Sequence, residues 1–181
     1  MSKHAKTLVC LVAATLVLAG CGSKKTVSAE TYMTGLCTEI GDWLHAVQAR
    51  SGEIGNELTP GMGPADGKKV LAGFLDDVIA LSQKAVDGIE AKGVPDVENG
   101  DQIAAALKGA FEQAKGIFQD ARAKVDDLPT DDPAAFQRAA TDLGSSIQKA
   151  SNRIGSSLGT VKSPDLDRAA AKTKACTDLG F

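Results

Sequence analysis

Apolar residues recur along this chain at three- and four-residue intervals over four long stretches, and that period predicts helices. The first stretch runs from about Ala29 to Leu58, with Met33, Leu36, Cys37, Ile40, Leu44 and Val47 on one face. Thr59-Pro60-Gly61-Met62-Gly63-Pro64 interrupts the pattern. The second runs from about Gly67 to Ala91, with Asp66 as its N-cap and Leu71, Phe74, Leu75, Val78 and Ile89 on its apolar face. Gly93 and Pro95 stop it. The third spans about Asn99 to Leu128 and carries Ile103, Leu107, Phe111, Phe118 and Val125. The fourth opens on Asp132 as N-cap and Pro133 in the first helical position. Its stripe is Phe136, Ala140, Leu143, Ile147, Ala150, Ile154, Leu158 and Val161. Ser163-Pro164 repeats the opening signal and predicts a short fifth helix from about Pro164 to Cys176. Alternating apolar and polar positions with β-branched enrichment are absent, so no strand is expected.

Four helices of this size, at 1.5 Å rise per residue, are each roughly 40 Å long. Short connections make neighbours antiparallel. The expected fold is therefore all-α: an up-down four-helix bundle with a short fifth C-terminal helix. Glycines resist this pattern. Gly41, Gly52, Gly55, Gly73, Gly88, Gly109, Gly116, Gly144, Gly155 and Gly159 fall inside predicted helices, where each costs roughly 1 kcal/mol relative to alanine. They either permit close helix packing, mark kinks or a cleft, or reflect composition alone; Gly55 leaves open an end to the first helix near Arg50.

The N-terminus follows another logic. Lys3, His4 and Lys6 form a basic start, and Leu8 to Ala19 an apolar run of about a dozen residues, the length of a signal core. It falls short of the 20 or so residues that span a bilayer. Leu18-Ala19-Gly20-Cys21 closes it, and these residues resemble the lipobox of bacterial lipoprotein precursors. The resemblance covers residues 1–21. It implies a diacylglyceryl group on the Cys21 thiol, cleavage after Gly20, and Cys21 as the acylated, palmitate-bearing N-terminus. Two acyl chains make a stable anchor where one binds reversibly. On this reading 1–20 is the signal peptide, 21–28 a lipidated tether and 29–181 the helical domain. Lys24 and Lys25 are either solvated linker charges or contributors of about 1 kcal/mol each against an anionic surface.

Removing residues 1–20 leaves roughly 160 residues, one domain by length. Loss of Lys3 and Lys6 takes the formal net charge from −3 to about −5. A mildly acidic chain without a basic block, and an exported one, is no candidate for nucleic acid.

Export also sorts the cysteines. Cys10 leaves with the signal and Cys21 takes the lipid, so Cys37 and Cys176 remain, where disulfides persist. A bond between them closes a loop of about 140 residues and joins the termini of the domain, a gain on the order of 5 kcal/mol in the chain-entropy model. The alternatives are two unpaired buried thiols or a metal pair, and the latter lacks ligands, since His45 is the one histidine of the mature chain.

Little here supports catalysis. Asp42 and His45 stand at i and i+3, half of the paired carboxylate–histidine device of di-iron bundles, and the second copy is missing. No nucleophile elbow, phosphate loop or paired metal cysteines occur. Gly155-Ser156-Ser157-Leu158-Gly159 matches Gly-x-x-x-Gly, a membrane-helix device, but polar neighbours make it a soluble packing feature. Asp126, Asp127, Asp131 and Asp132 flank Pro129 without the spacing of a calcium loop. Phe74, Phe111, Phe118 and Phe136 belong to core stripes. Tyr32 and Trp43 sit off the main stripe of the first helix, where they line a groove or cover the junction with the fifth; Phe181 folds back onto the bundle.

The Ala- and Gly-rich helical part, with cysteines near both ends, looks like small lipoproteins of actinobacterial envelopes, a likeness of general character that transfers no activity. The expectation is a membrane-anchored, extracytoplasmic lipoprotein, not an enzyme, without cofactor or metal. It works as an interaction module for an envelope protein or, alternatively, as a carrier of a lipid or other apolar ligand.

Overall fold

Prolines and capping side chains open most of the helices. In the computed structural model, which describes residues 25–59, 61–158 and 162–180, α1 spans Ala29–Glu57 and is capped by Ser28, whose Oγ accepts from the Thr31 N–H at 3.2 Å. α2 spans Pro64–Ala91 with proline in its first turn, α3 spans Gly100–Val125, and α4 spans Pro133–Leu158. Asp132 caps α4 as expected: its Oδ1 accepts from the Ala134 N–H at 2.8 Å. Ser163 caps α5, Pro164–Lys172, and α6 is the single turn Lys174–Thr177. The lipobox with Cys21, Cys10, Pro60, Gly159, Val161 and Phe181 lie outside the described residues.

Several sequence expectations are corrected. A short parallel strand pair exists, β1 (Thr26–Val27) against β2 (Val94–Pro95). Pro95 follows the ladder without donating to it, while the Val94 and Asp96 amides on either side donate to the Lys25 and Val27 carbonyls. Asp66 is not the α2 cap. Pro64, preset to helical φ, starts the helix three residues earlier, and Asp66 sits in the first turn, paired with Lys69 at 3.0 Å. α1 runs past Gly52 and Gly55 to Glu57, as its period predicts, so the alternative end near Arg50 is not taken. α3 stops at Val125, with turns carrying the chain to Leu128. The fifth helix breaks at Thr173, whose backbone is extended, and restarts as α6.

Helix order follows from charge pairs and hydrogen bonds. Along α1, Glu39, Trp43 and Arg50 meet Lys92 just past the end of α2 and Ser82 and Asp77 within it, so the two run antiparallel. Glu90 and Asp76 of α2 meet Lys108 and Arg122 of α3, which reverses direction again. α4 packs chiefly on α3, while α5 and α6 pack on α1. The apolar stripes consequently fill two clusters. The larger one joins Tyr32, Leu36, Val86, Ile89, Ile103 and Phe111 to Leu166 and Ala169 of α5. The smaller gathers Leu75, Ala121, Val125 and Leu128, with Phe74, Phe118, Phe136, Leu143 and Ile147 half-buried around it. Burial of such side chains stabilises by about 1.5–3 kcal/mol each.

α4 is the weakest member. Phe136, Leu143 and Ile147 pack on the smaller cluster as expected, joined by Ala139 rather than Ala140, yet each is only half-buried. A helix with one principal neighbour covers one flank of its stripe.

Most helical glycines are not packing devices. A Cβ at Gly52, Gly55, Gly73, Gly109, Gly116 or Gly144 would meet open space, whereas at Gly88 it would meet the Glu39 carboxylate at 2.2 Å.

Candidate functional site

Of the residues singled out by the sequence, Tyr32, Cys37 and Cys176 come together near the start of α1. Ser28 starts α1, and immediately before it β1 is tied to the α2–α3 connection. The Val94 N–H donates to the Lys25 carbonyl at 2.9 Å and the Asp96 N–H to the Val27 carbonyl at 2.7 Å. Gly93 makes this possible: its φ is +84°, and a Cβ there would lie 2.1 Å from the Lys25 oxygen. Gly100, whose Cβ would lie 2.1 Å from the Pro95 oxygen, lets α3 begin directly over the strand. The backbone is thus fixed from Lys25 onward.

Two turns along α1, Cys37 is bonded to Cys176 of α6, with S–S 2.04 Å and Cα atoms 5.0 Å apart. Both cysteines are buried. The bond lies within the larger cluster and holds α5 and α6 against α1, so the expected joining of the domain's termini is present. The break at Thr173 re-aims the chain so that the α6 turn carries Cys176 onto α1.

Tyr32 is part of this core, only 1% exposed, rather than lining a groove. It belongs to the cluster that α1 shares with α2, α3 and α5. Its hydroxyl has no hydrogen-bond partner among the described residues, and burial pushes the phenol pKa up to about 12. Trp43 lies elsewhere than the fifth helix. Its Nε1 donates to Ser82 Oγ at 3.2 Å, and its ring meets Phe111 edge-on at 5.4 Å, which joins α1, α2 and α3. Ser82 in turn donates to the Val78 carbonyl at 2.8 Å, so this polar pair inside the helix interface is satisfied.

Asp42 and His45 are both exposed, and no hydrogen bond joins them. Among the described residues, no group of three or more His, Cys, Asp or Glu side chains is placed to hold a metal. No described helix is long and apolar enough to cross a membrane.

Crevices open between the helices. One of about 370 Å³ runs between α3 and α4, floored by Ala121, Leu143 and Ile147 and rimmed by Asp120, Lys124 and Lys149. Another, of about 420 Å³, lies beside β1 and β2 between Lys25 and Lys108. A third, of about 410 Å³, sits at the start of α1 among Glu30, Asp96, Asp165, Arg168 and Lys172. Trp43 borders a smaller one of about 160 Å³ with Glu39, Asp42 and Lys84. Every one of them carries charged side chains in its wall.

No family model matches the chain, and neither a curated protein nor a solved structure matches it.

Proposed function

We propose that the chain is an exported lipoprotein, anchored to the cell membrane through lipid on Cys21, whose helical domain acts as a non-catalytic interaction module of the envelope. The finer fold reading belongs with it: an up-down bundle of α1–α4, with α5 and α6 closing over the anchored end. The observation that carries this reading is the Cys37–Cys176 bond. It uses the two thiols that anchoring leaves over, and such a bond persists outside the cytoplasm. The lipobox supplies the export route and the lipid.

A module that binds through its surface also suits the crevices. Ligand pockets are predominantly apolar with a few polar groups, whereas the crevice at the start of α1 is walled by Glu30, Asp96, Asp165, Arg168 and Lys172. The α3–α4 crevice is the second reading's foothold: its floor of Ala121, Leu143 and Ile147 offers an apolar ligand a seat. Native mass spectrometry of protein extracted from its own membranes separates the two, since a carrier retains a lipid-sized adduct beyond the covalent anchor.

The anchoring is tested by Cys21→Ala in the full precursor, expressed in a bacterium that processes lipoproteins. The wild-type chain should fractionate with membranes and partition into detergent. The variant should leave the detergent phase and lose the acyl mass. Membrane association that persists unchanged in Cys21→Ala overturns the reading.

A further inference from the structure

We infer that the end of the domain formed by β1, β2 and the 96–99 loop rests on the phospholipid headgroup layer, with the loop between α3 and α4 projecting away from the membrane. This rests on the proposed lipidation of Cys21 and adds to it an orientation and a lipid-facing surface. The argument is one of reach. The backbone is hydrogen-bonded to the domain from Lys25 onward, and four residue steps separate Lys25 from Cys21. Fully extended, they span at most about 14 Å. A diacylated Cys21 sits at the hydrocarbon boundary, so Lys25 and the elements it touches stay within about 14 Å of it, in or just above the headgroup layer.

The elements so confined are known. Lys25 pairs with Val94, and Gly93 and Gly100 bring the end of α2 and the start of α3 alongside it. Asp96 and Glu98 are exposed on the connecting loop. α3 then leads away for 26 residues, about 39 Å, before the turn at residues 126–132. Lys68 at the start of α2 bonds the Asp126 carbonyl and marks that far end.

Two further observations favour a standing domain. Leu58, 40% exposed, is the exposed large hydrophobic residue among those described. Among the described residues the sides expose no other large apolar side chain, and lying flat would desolvate charges with little compensating burial. At the anchored end, the crevice beside the start of α1 mixes Arg168 and Lys172 with Glu30, Asp96 and Asp165. That mixture matches headgroups carrying both phosphate and amine, and it makes the contact only weakly dependent on net lipid charge.

The test uses full-length, lipidated protein reconstituted into phosphatidylethanolamine–phosphatidylglycerol vesicles that carry an acceptor dye on a headgroup. A donor is attached at Glu98→Cys or at Asp131→Cys, both exposed positions. Energy transfer should be several-fold stronger from position 98, and a Gly/Ser insertion between Cys21 and Lys25 should reduce it. Equal transfer from both positions in vesicle-bound protein, or no effect of the insertion, overturns the orientation while leaving the anchor intact. Protein that carries the acyl mass yet fails to bind vesicles contradicts the anchor and the orientation together.

Discussion

Gly93 and Lys25 approach so closely that only glycine fits between them: a Cβ on Gly93 would stand 2.1 Å from the Lys25 carbonyl oxygen. The positive φ of 84° adds a second requirement. Gly93→Ala should therefore break the β1–β2 pair and cost about 1–3 kcal/mol. Hydrogen exchange should show the Val94 and Asp96 amides, which donate into β1, losing protection first. The opposite result is expected where space is open. Gly73→Ala, Gly116→Ala and Gly144→Ala should each stabilise by about 0.5–1 kcal/mol in denaturant titration, since an added Cβ there meets nothing.

Tyr32 carries a pH signature. Its phenol pKa rises from 10 to about 12 because the ring is buried. The folded chain therefore holds this proton more tightly than the unfolded chain does. Its contribution is complete below pH 10 and is lost as pH climbs from 10 to about 12, by on the order of 2 kcal/mol. Tyr32→Phe should remove this alkaline component. Near neutral pH the same change should leave stability unchanged or raise it by up to about 1 kcal/mol, since the buried hydroxyl lacks a partner. Stability curves of the two proteins that stay parallel from pH 9 to about 12 would contradict the assignment.

The two clusters should respond differently to truncation. Phe111, 7% exposed and in edge contact with Trp43, should cost about 3–5 kcal/mol on replacement by alanine. Ile147 lies on the right stripe but is only half-buried, so Ile147→Val should fall at or below about 0.5 kcal/mol. A cost of about 1 kcal/mol or more for Ile147→Val would mean that α4 is packed as deeply as α3.

These contrasts mark what was readable in the chain. The 3.6-residue period located four long helices, and Pro133 with Asp132 and Pro164 with Ser163 set two of the starts correctly. A stripe tells which side of a helix turns inward, but not how many neighbours await it, so the half-covered state of α4 was hidden. Tyr32 was assigned off the stripe because α1 packs on α2 along one line and on α5 and α6 along another, which widens its buried face. The β1–β2 pair has two residues per strand and includes a proline, too short for alternation to register. The pairing of Cys37 with Cys176 came from compartment logic rather than from pattern. The end where the proposed lipid on Cys21 would attach was legible in outline, but its fixation at Lys25 depends on the long-range contact with Gly93.

Removing the disulfide should act mainly on the last two helices. Cys37→Ala with Cys176→Ala releases a loop closed across 139 positions and should cost on the order of 5 kcal/mol. α1 to α4 keep their own apolar contacts, so far-ultraviolet circular dichroism should remain helical while hydrogen exchange accelerates first in Pro164–Thr177. Uniform acceleration across all helices would show instead that the bond supports the whole domain.

We propose an exported chain with lipid on Cys21, and the structure bonds Cys37 to Cys176. Intact mass of the protein purified from its own membranes, alkylated without reduction, tests all three parts at once. The expected species begins at Cys21, carries the added mass of acyl chains, and takes up no alkylating reagent. A species that retains residues 1–20, lacks the acyl mass, or is alkylated at Cys37 and Cys176 would contradict the account.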